Sequence, residues 1–228
     1  MAAPHFTSEL DQAKRALRQR ALDLRKGFDP AVSGAAVAEV VLRECPPPAG
    51  AVVSGFWPIG DELDIRPLLH ALHARGHPIV LPVTPRRGNP LTFRLWQPGD
   101  ALEPERFGTF RPIGEECAPG FLLVPLLAFD RRGYRVGYGA GFYDRTLELL
   151  RGEVASSPPP VGAQGQGAVR ETTPTLSAPR GGEGVLPRCF ALGVAYAMQE
   201  MPEVPAGPRD QRLDAVATEN GVIVCKDT

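Results

Sequence analysis

One stretch near the middle of the chain constrains the fold more than any other. An apolar run at residues 121–129 suits a strand buried on both faces. Glycines then stand at alternate positions, at Gly137, Gly139 and Gly141, and residues 143–150 have helical spacing. Strand, glycine loop and helix in this order are typical of α/β proteins that bind an anion at the helix start.

The glycine loop alone does not identify its ligand. Glycines allow close approach of the backbone, and Arg131, Arg132 and Arg135 add positive charge nearby. The spacing is neither Gly-x-Gly-x-x-Gly nor that of a P-loop, since no Gly-Lys-Ser/Thr follows. A lone loop of this kind is more often a tight turn that needs glycine only for positive φ. Phosphate binding is therefore a hypothesis that depends on the rest of the chain.

The composition favours a small-molecule partner. The 228 residues suit one domain, and an apolar content of 43% is enough for a core. A net charge of −1 gives no general attraction to nucleic acid or to anionic membranes. No segment resembles a signal peptide or a bilayer span. We expect a cytoplasmic protein without nucleic-acid or membrane partners.

Cysteines and histidines do not favour a metal centre. The four cysteines are far apart and none forms a C-x-x-C pair, which favours reduced, buried thiols. His70, His73 and His77 could share a helix face. They alternate with leucines, and His77 follows Gly76, a typical helix end, so a structural role is favoured.

Helical and strand patterns alternate along the chain. Three helices are predicted before the central stretch, at about 8–26, 29–44 and 65–75. Strands are predicted at 51–57, 78–83, 91–97, 189–196, 216–218 and 222–225. The alternation predicts a three-layer α/β fold with a largely parallel sheet and helices on both faces.

The first helix carries an apolar stripe and a basic pair. Lys14 and Arg18 are four residues apart and are expected to be exposed beside the stripe. A solvated basic surface is the ordinary outcome for such residues. The stripe consists of Leu10, Ala13, Leu17, Ala21 and Leu24.

Residues 152–187 interrupt the pattern. They are rich in Pro, Gly, Ser and Gln and contain almost no large apolar residues. Such a segment cannot bury enough surface to offset its ordering entropy. We predict a disordered insertion in a single domain that otherwise spans residues 1–228. A proline-rich docking site is the less favoured alternative.

The central stretch resembles the signature of the 5-formyltetrahydrofolate cyclo-ligases, also called methenyltetrahydrofolate synthetases. Residues 125–144 read Pro-x-x-Ala-Phe-Asp-x-x-Gly-x-Arg-x-Gly-x-Gly-x-Gly-x-Tyr-Asp. Cyclo-ligases also begin with Lys-Arg-x-Leu-Arg, here at 14–18, and end with similar elements, here from Ala195 and from Asp210. The resemblance spans residues 14–224 outside the insertion.

The resemblance implies binding sites for ATP, a reduced folate and Mg²⁺. The ATP contacts would be Lys14, Arg15, Arg18, Arg135, Val136, Gly137, Tyr138, Gly139, Ala140, Gly141, Phe142 and Tyr143. The folate contacts would be Arg18, Ile59, Asp64, Tyr138 and Phe142. The metal ligands would be Asp144 and Asp210, for which a helix cap and a turn are the ordinary alternatives. We interpret Asp61 and Glu62 as helix-start charges.

The implied reaction is the ATP- and Mg²⁺-dependent cyclisation of 5-formyltetrahydrofolate to 5,10-methenyltetrahydrofolate, with release of ADP and phosphate. It would proceed through a phosphorylated imidate in a monomeric enzyme. No residue is assigned as acid or base, because phosphoryl transfer depends on positioning and charge neutralisation.

Two alternatives remain open. The first is a non-catalytic nucleotide- or folate-binding regulator on the same fold. The second is a sugar-phosphate isomerase on a similar α/β fold, which would need a carboxylate base and no ATP. The Lys-Arg-x-Leu-Arg helix at residues 14–18 argues against it. The chain departs from the family at Arg111, where members often have Glu, and at Gly120-Phe121, where Asp often opens the strand. Arg111 is given no role.

Overall fold

A computed structural model describes residues 8–156 and 189–226, and two of its helices begin at side chains that cap them. The Ser8 hydroxyl accepts a hydrogen bond from the Asp11 amide, and Asp29 accepts one from the Ala31 amide. The described residues form four α-helices: α1 Glu9–Arg25, α2 Pro30–Glu44, α3 Arg66–Ala74 and α4 Phe142–Ser156. The strands are β1 Val53–Ser54, β2 Ile79–Val83, β3 Thr92–Trp96, β4 Leu102–Pro104, β5 Phe110–Pro112, β6 Phe121–Pro125, β7 Ala128–Phe129, β8 Arg135–Val136, β9 Phe190–Val194, β10 Ala215–Thr218 and β11 Gly221–Val224.

Seven strands form the central sheet in the order β11-β10-β9-β6-β1-β2-β3. The five inner strands are parallel, while the edge strands β3 and β11 are antiparallel to their neighbours. The prediction of a largely parallel sheet is confirmed. The chain leaves β1 toward β2 on one side, whereas β6 lies on the other side. Such a reversal opens a crevice at the carboxyl ends of the strands.

Alternate residues of the inner strands pack on opposite faces of the sheet. Ile79 and Leu81 contribute to a core with α2 and α3, which include Val41 and Leu69. Val80 belongs to the core on the other face with Leu147 of α4. Helices therefore cover both faces, as predicted, and strands β2, β6 and β9 carry no polar side chain for that reason.

Helix α1 packs against the β7–β8 hairpin instead of a sheet face. Its buried residue Ala21 contacts a separate cluster that includes Leu127 and Met201. The predicted stripe is partly wrong, because Ala13 and Leu24 are exposed. The inward face of α1 also carries the polar side chains of Lys14, Arg18 and Arg25, whose partners lie on loops elsewhere in the chain.

The apolar run 121–129 is two strands rather than one. The chain leaves the sheet after Pro125, since the Gln199 side-chain amide donates to the carbonyls of Leu126 and Leu127, at 3.0 and 2.7 Å. Strand β1 is likewise shorter than the predicted 51–57.

Helix α4 continues to Ser156, into the segment predicted to be irregular. The remainder of the predicted insertion, residues 157–187, lies outside the described residues. None of the helices in the described ranges has the length and apolarity that a bilayer span requires.

Candidate active site

A cavity of about 600 Å³ lies at the carboxyl ends of β1, β2 and β6. Pro82 and Pro125 form its floor at the strand ends, and Phe56 and Trp57 line it just after β1. The other walls are α1, the glycine loop 137–141 and the start of α4. The cavity thus occupies the crevice where the strand order reverses, which is the usual ligand site of open α/β sheets.

Two of the three loop glycines are required by the backbone, and the third is not. Gly139 and Gly141 have φ of +98° and +67°, which side chains rarely adopt. A Cβ at Gly139 would also lie 3.2 Å from the Arg18 guanidinium carbon. Gly137 lacks positive φ, and a Cβ there would meet nothing within 4 Å. The fold therefore does not require Gly137, which leaves open space on the cavity side for a ligand to approach the backbone.

The basic pair of α1 lies inside the cavity wall. The Lys14 ammonium pairs with Asp210 at 2.5 Å, and its side chain is only 14% exposed. The Arg18 Nε donates to the Gly137 carbonyl at 2.8 Å. The expectation that both residues are exposed beside the stripe is wrong, because a carboxylate and a loop carbonyl provide them with inward partners.

Three predicted or neighbouring arginines lie outside the cavity. Arg15 is exposed on α1. Arg131 pairs with Glu200 at 2.6 Å, and Arg132 pairs with Asp130 at 2.7 Å. The idea that Arg131 and Arg132 add charge to the glycine loop is therefore wrong, since both neutralise local carboxylates. Arg15 remains a proposed ATP contact without a place in the cavity wall.

The two aspartates predicted to bind metal lie together on the cavity wall. Asp144, in the first turn of α4, accepts hydrogen bonds from Arg135 at 2.8 Å and from the Gln211 amide at 3.0 Å. Gln211 directly follows Asp210, so this bond ties the two acidic positions to each other. Arg135 also donates to the Gln211 carbonyl. The nearly buried Arg135 guanidinium thus connects the start of α4 to the loop that carries Asp210 and Gln211.

The arrangement of these carboxylates fits a divalent cation. Asp144 engages its neighbours through Oδ1, and Asp210 engages Lys14 and the Gly207 amide through Oδ2. Within the described ranges, the other oxygen of each accepts no hydrogen bond from a side chain or amide. Hard oxygen donors in this number suit Mg²⁺, which usually completes its shell with water and phosphate oxygens. Residues 8–156 and 189–226 contain no cluster of three or more metal-ligating side chains.

The acidic loop after β1 contributes Glu62 to the cavity. Glu62 is 5% exposed, and its carboxylate accepts a hydrogen bond from the Ile59 amide at 2.9 Å. Burial raises the pKa of Glu62 above its usual range. The interpretation of Glu62 as a helix-start charge is wrong, because α3 begins only at Arg66 and Glu62 is turned toward the cavity.

Asp64 lies elsewhere. It forms an ion pair with Arg66 at 2.7 Å, and this hydrogen-bonded pairing lowers the pKa of Asp64. Together they border a shallow groove beside Trp57 and Trp96. The predicted folate contact Ile59 does line the cavity, whereas Asp64 does not.

All the other residues predicted for ATP, folate or metal line this one cavity. They are Lys14, Arg18, Ile59, Arg135, Val136, Gly137, Tyr138, Gly139, Ala140, Gly141, Phe142, Tyr143, Asp144 and Asp210.

Sequence reasoning missed several further wall residues. Thr84, Arg87 and Phe110 form a wall near the β4–β5 hairpin and carry no sequence signal that distinguishes them. Arg111 in β5 pairs across the same hairpin with Glu103 at 2.7 Å and does not line the cavity.

A buried arginine on α1, Arg25, also escaped prediction. It is 4% exposed and donates to the Tyr138 hydroxyl at 2.9 Å. Its spacing gave a usable signal, since positions 14, 18 and 25 fall on one helix face.

The fold and the site define an α/β protein with a glycine loop, a basic helix and paired carboxylates around one cavity at the carboxyl edge of its sheet. Residues 10–175 match the sequence model of the 5-formyltetrahydrofolate cyclo-ligase family. The match covers most of the chain, and the chain belongs to that family.

Similar sequences agree with this assignment. The chain is 38% identical over 112 residues to a 5-formyltetrahydrofolate cyclo-ligase of Mycolicibacterium smegmatis and 36% identical over 103 residues to that of Escherichia coli K12. These alignments cover 43% and 42% of this chain and 56% and 57% of the two relatives, so the match spans little more than half of each relative.

Two solved structures share the fold. The 5,10-methenyltetrahydrofolate synthetase of Aquifex aeolicus is similar with a TM-score of 0.63 and 24% identity, over 94% of both chains. That of Mycoplasma pneumoniae is similar with a TM-score of 0.60 and 18% identity, over 90% of this chain and 98% of the other.

Proposed function

We propose that this protein converts 5-formyltetrahydrofolate and ATP to 5,10-methenyltetrahydrofolate, ADP and phosphate. The observation that carries the proposal is one cavity that combines a glycine loop and basic helix with a buried carboxylate, Glu62. Its volume of about 600 Å³ is in the range of small-molecule sites. The family membership supports the same activity.

The proposed chemistry places charge neutralisation on α1 and the glycine loop. The formyl oxygen attacks the γ-phosphorus of ATP, the bond to ADP breaks, and a phosphorylated imidate forms. N10 of the folate then attacks the formyl carbon, and phosphate departs with the formyl oxygen. Lys14, Arg18 and the N–H groups of the loop stabilise the developing phosphate charge, which is the main demand of phosphoryl transfer.

Asp144 and Asp210 would hold Mg²⁺, which when bound neutralises phosphate charge and orients the phosphoryl group. The protein fixes the positions of these two carboxylates through hydrogen bonds. Arg135 and the Gln211 amide orient Asp144, while Lys14 and the Gly207 amide orient Asp210. Both aspartates line the cavity that the glycine loop borders.

Glu62 is the carboxylate proposed to accept the N–H donors of the pterin. A pterin presents an amino group and a ring N–H on one edge, and an ionised carboxylate can accept both. Ile59 and Phe142 line the same cavity and offer apolar surface for the ring. Glu62 replaces Asp64 in this role, because Asp64 forms an ion pair with Arg66 outside the cavity.

Purified protein should form the methenyl product, followed by its absorbance, only when 5-formyltetrahydrofolate, ATP and Mg²⁺ are all present. Omission of ATP or addition of a chelator should abolish the signal. Folded protein that binds both ligands without turnover would indicate a regulator on this fold and would contradict the proposal.

A second measurement tests the route. If the formyl oxygen attacks phosphorus, then a substrate labelled with ¹⁸O in the formyl group should deliver that label to the released phosphate. Label that appears in water instead would exclude the phosphorylated imidate.

A further inference from the structure

Arg25 is a buried cation without a direct carboxylate partner among the described residues. Its residue exposure is 4%, and the ion pairs of those residues do not include it. Its Nε is buried and donates to no partner within the described ranges. Burial of an unpaired charge is costly, so its position calls for a compensating interaction.

The polar contacts of Arg25 lead to the glycine loop. Its Nη1 donates to the Tyr138 hydroxyl at 2.9 Å, and its Nη2 donates to the Leu126 carbonyl. Tyr138 stands between Gly137 and Gly139 and lines the same cavity as Glu62, where its hydroxyl acts electrostatically on the Glu62 carboxylate. Arg25, Tyr138 and Glu62 therefore form one polar chain from α1 to the acidic loop.

A second path connects Arg25 to the same loop. The Arg25 guanidinium carbon lies 6.0 Å from the centre of the Tyr196 ring, a cation–π distance. The Tyr196 hydroxyl donates to the Asp61 carbonyl at 3.3 Å, next to Glu62 in the chain. Arg25 thus supports both the side chain of Glu62 and the backbone that carries it.

We propose that Arg25 is a positioning residue: through the Tyr138 hydroxyl it holds the Glu62 carboxylate in place for the folate. The inference rests on the proposed function for its catalytic consequence. Arg25 itself is not among the residues that line the cavity.

The groups that act on Glu62 come from three elements. Arg25 of α1 and Tyr138 of the glycine loop favour the ionised form, and the Ile59 amide does the same. Tyr143 of α4 is the other titratable neighbour, and the Glu62 charge disfavours its ionisation. Burial acts against all of these and raises the pKa of Glu62. Loss of the Arg25 charge should therefore raise that pKa further.

The test compares Arg25→Gln, Arg25→Lys and the wild type, with the exposed Arg20→Gln on the same helix as control. The pKa of Glu62 is measured by ¹³C NMR of labelled glutamate carboxyls, with Glu62→Gln to assign the signal. Arg25→Gln should raise this pKa by about one unit, whereas Arg25→Lys should stay closer to the wild type. Arg20→Gln should not change it.

The kinetic signature is a pH-dependent KM. In Arg25→Gln the KM for 5-formyltetrahydrofolate should rise about tenfold below the pKa of Glu62 and approach the wild-type value at high pH, with kcat little changed. A KM increase of equal size at every pH, or an unchanged Glu62 pKa, would show that Arg25 is only structural and would overturn the proposal.

Two further outcomes are decisive. If Arg25→Gln does not fold, Tyr138→Phe breaks the same chain, and an unchanged Glu62 pKa in that variant overturns the proposal. If the wild type forms no methenyl product, the proposed function fails, whereas the NMR titration still decides whether Arg25 controls Glu62.

Discussion

At the scale of single residues, Glu62 is a carboxylate whose ionisation opposes folding. Burial raises its folded-state pKa above the unfolded value, so the cost of ionising it is absent below the unfolded pKa of about 4.3 and grows as pH rises through the folded pKa. Glu62→Gln should therefore raise Tm relative to the wild type at pH 7–8, with the difference vanishing near pH 4. Thermal melts across this pH range measure it.

Glu44 supplies an oppositely signed control for that prediction. Its side-chain bond to Arg43 and the hydrogen bond from the Val222 amide lower its pKa, so its contribution is present at neutral pH and is lost as pH falls. Glu44→Gln should lower Tm at pH 7 and converge with the wild type in acid. A Tm difference for Glu62→Gln that does not depend on pH would show that its charge carries no folding cost.

The loop glycines give a second residue-scale prediction. Gly137 has no positive φ, and open space surrounds the position of an added Cβ. The Gly137→Ala variant should therefore have the Tm of the wild type and differ from it only in weaker ATP binding. Gly139 has positive φ, and a Cβ added there would lie close to the Arg18 guanidinium. The Gly139→Ala variant should therefore also lose about 1–3 kcal/mol of stability. Denaturation and ATP titration of both variants separate the two effects. Unchanged ATP affinity in Gly137→Ala would argue against close phosphate approach at this glycine.

At the scale of elements, α1 contributes charge to the cavity. Lys14→Ala should weaken ATP binding by about 1.5–3 kcal/mol, the size of a charge-assisted contact. A modest loss of stability should accompany it, because Asp210 then lacks its ammonium partner. The exposed Arg20→Ala on the same helix should change neither quantity. Wild-type ATP kinetics in Lys14→Ala would reduce the pair with Asp210 to a structural contact.

Asp144 at the start of α4 and Asp210 on its loop should act as one metal site. Asp144→Asn and Asp210→Asn keep a hydrogen-bond acceptor but remove charge, so each should raise the Mg²⁺ concentration for half-maximal activity far more than it lowers Tm. Asp214 offers the control, since it accepts from Arg151 and the Ala191 amide outside the cavity. Asp214→Asn should reduce stability and leave the Mg²⁺ requirement unchanged. An identical Mg²⁺ response in all three variants would remove the assignment.

At the scale of the whole molecule, the sequence predicted the order of helices and strands and the cluster around the glycine loop. Periodicity and capping residues are local signals, and the residues of the signature are contiguous. The inward face of α1 was misjudged, because apolar periodicity cannot show that Lys14 and Arg18 find partners far along the chain. Glu62 was missed for the same reason, because burial of a polar side chain depends on tertiary neighbours. Arg25 shares a helix face with Lys14 and Arg18, so its spacing was informative, but only once that face was known to point inward.

In the proposed function, one cavity couples ATP cleavage to folate cyclisation. The most direct measurement is the stoichiometry of a single-turnover reaction, with protein in excess over ATP and with 5-formyltetrahydrofolate and Mg²⁺ present. One methenyltetrahydrofolate should form for each ADP. ADP formed without methenyl product, or methenyl product formed without ATP, would contradict it.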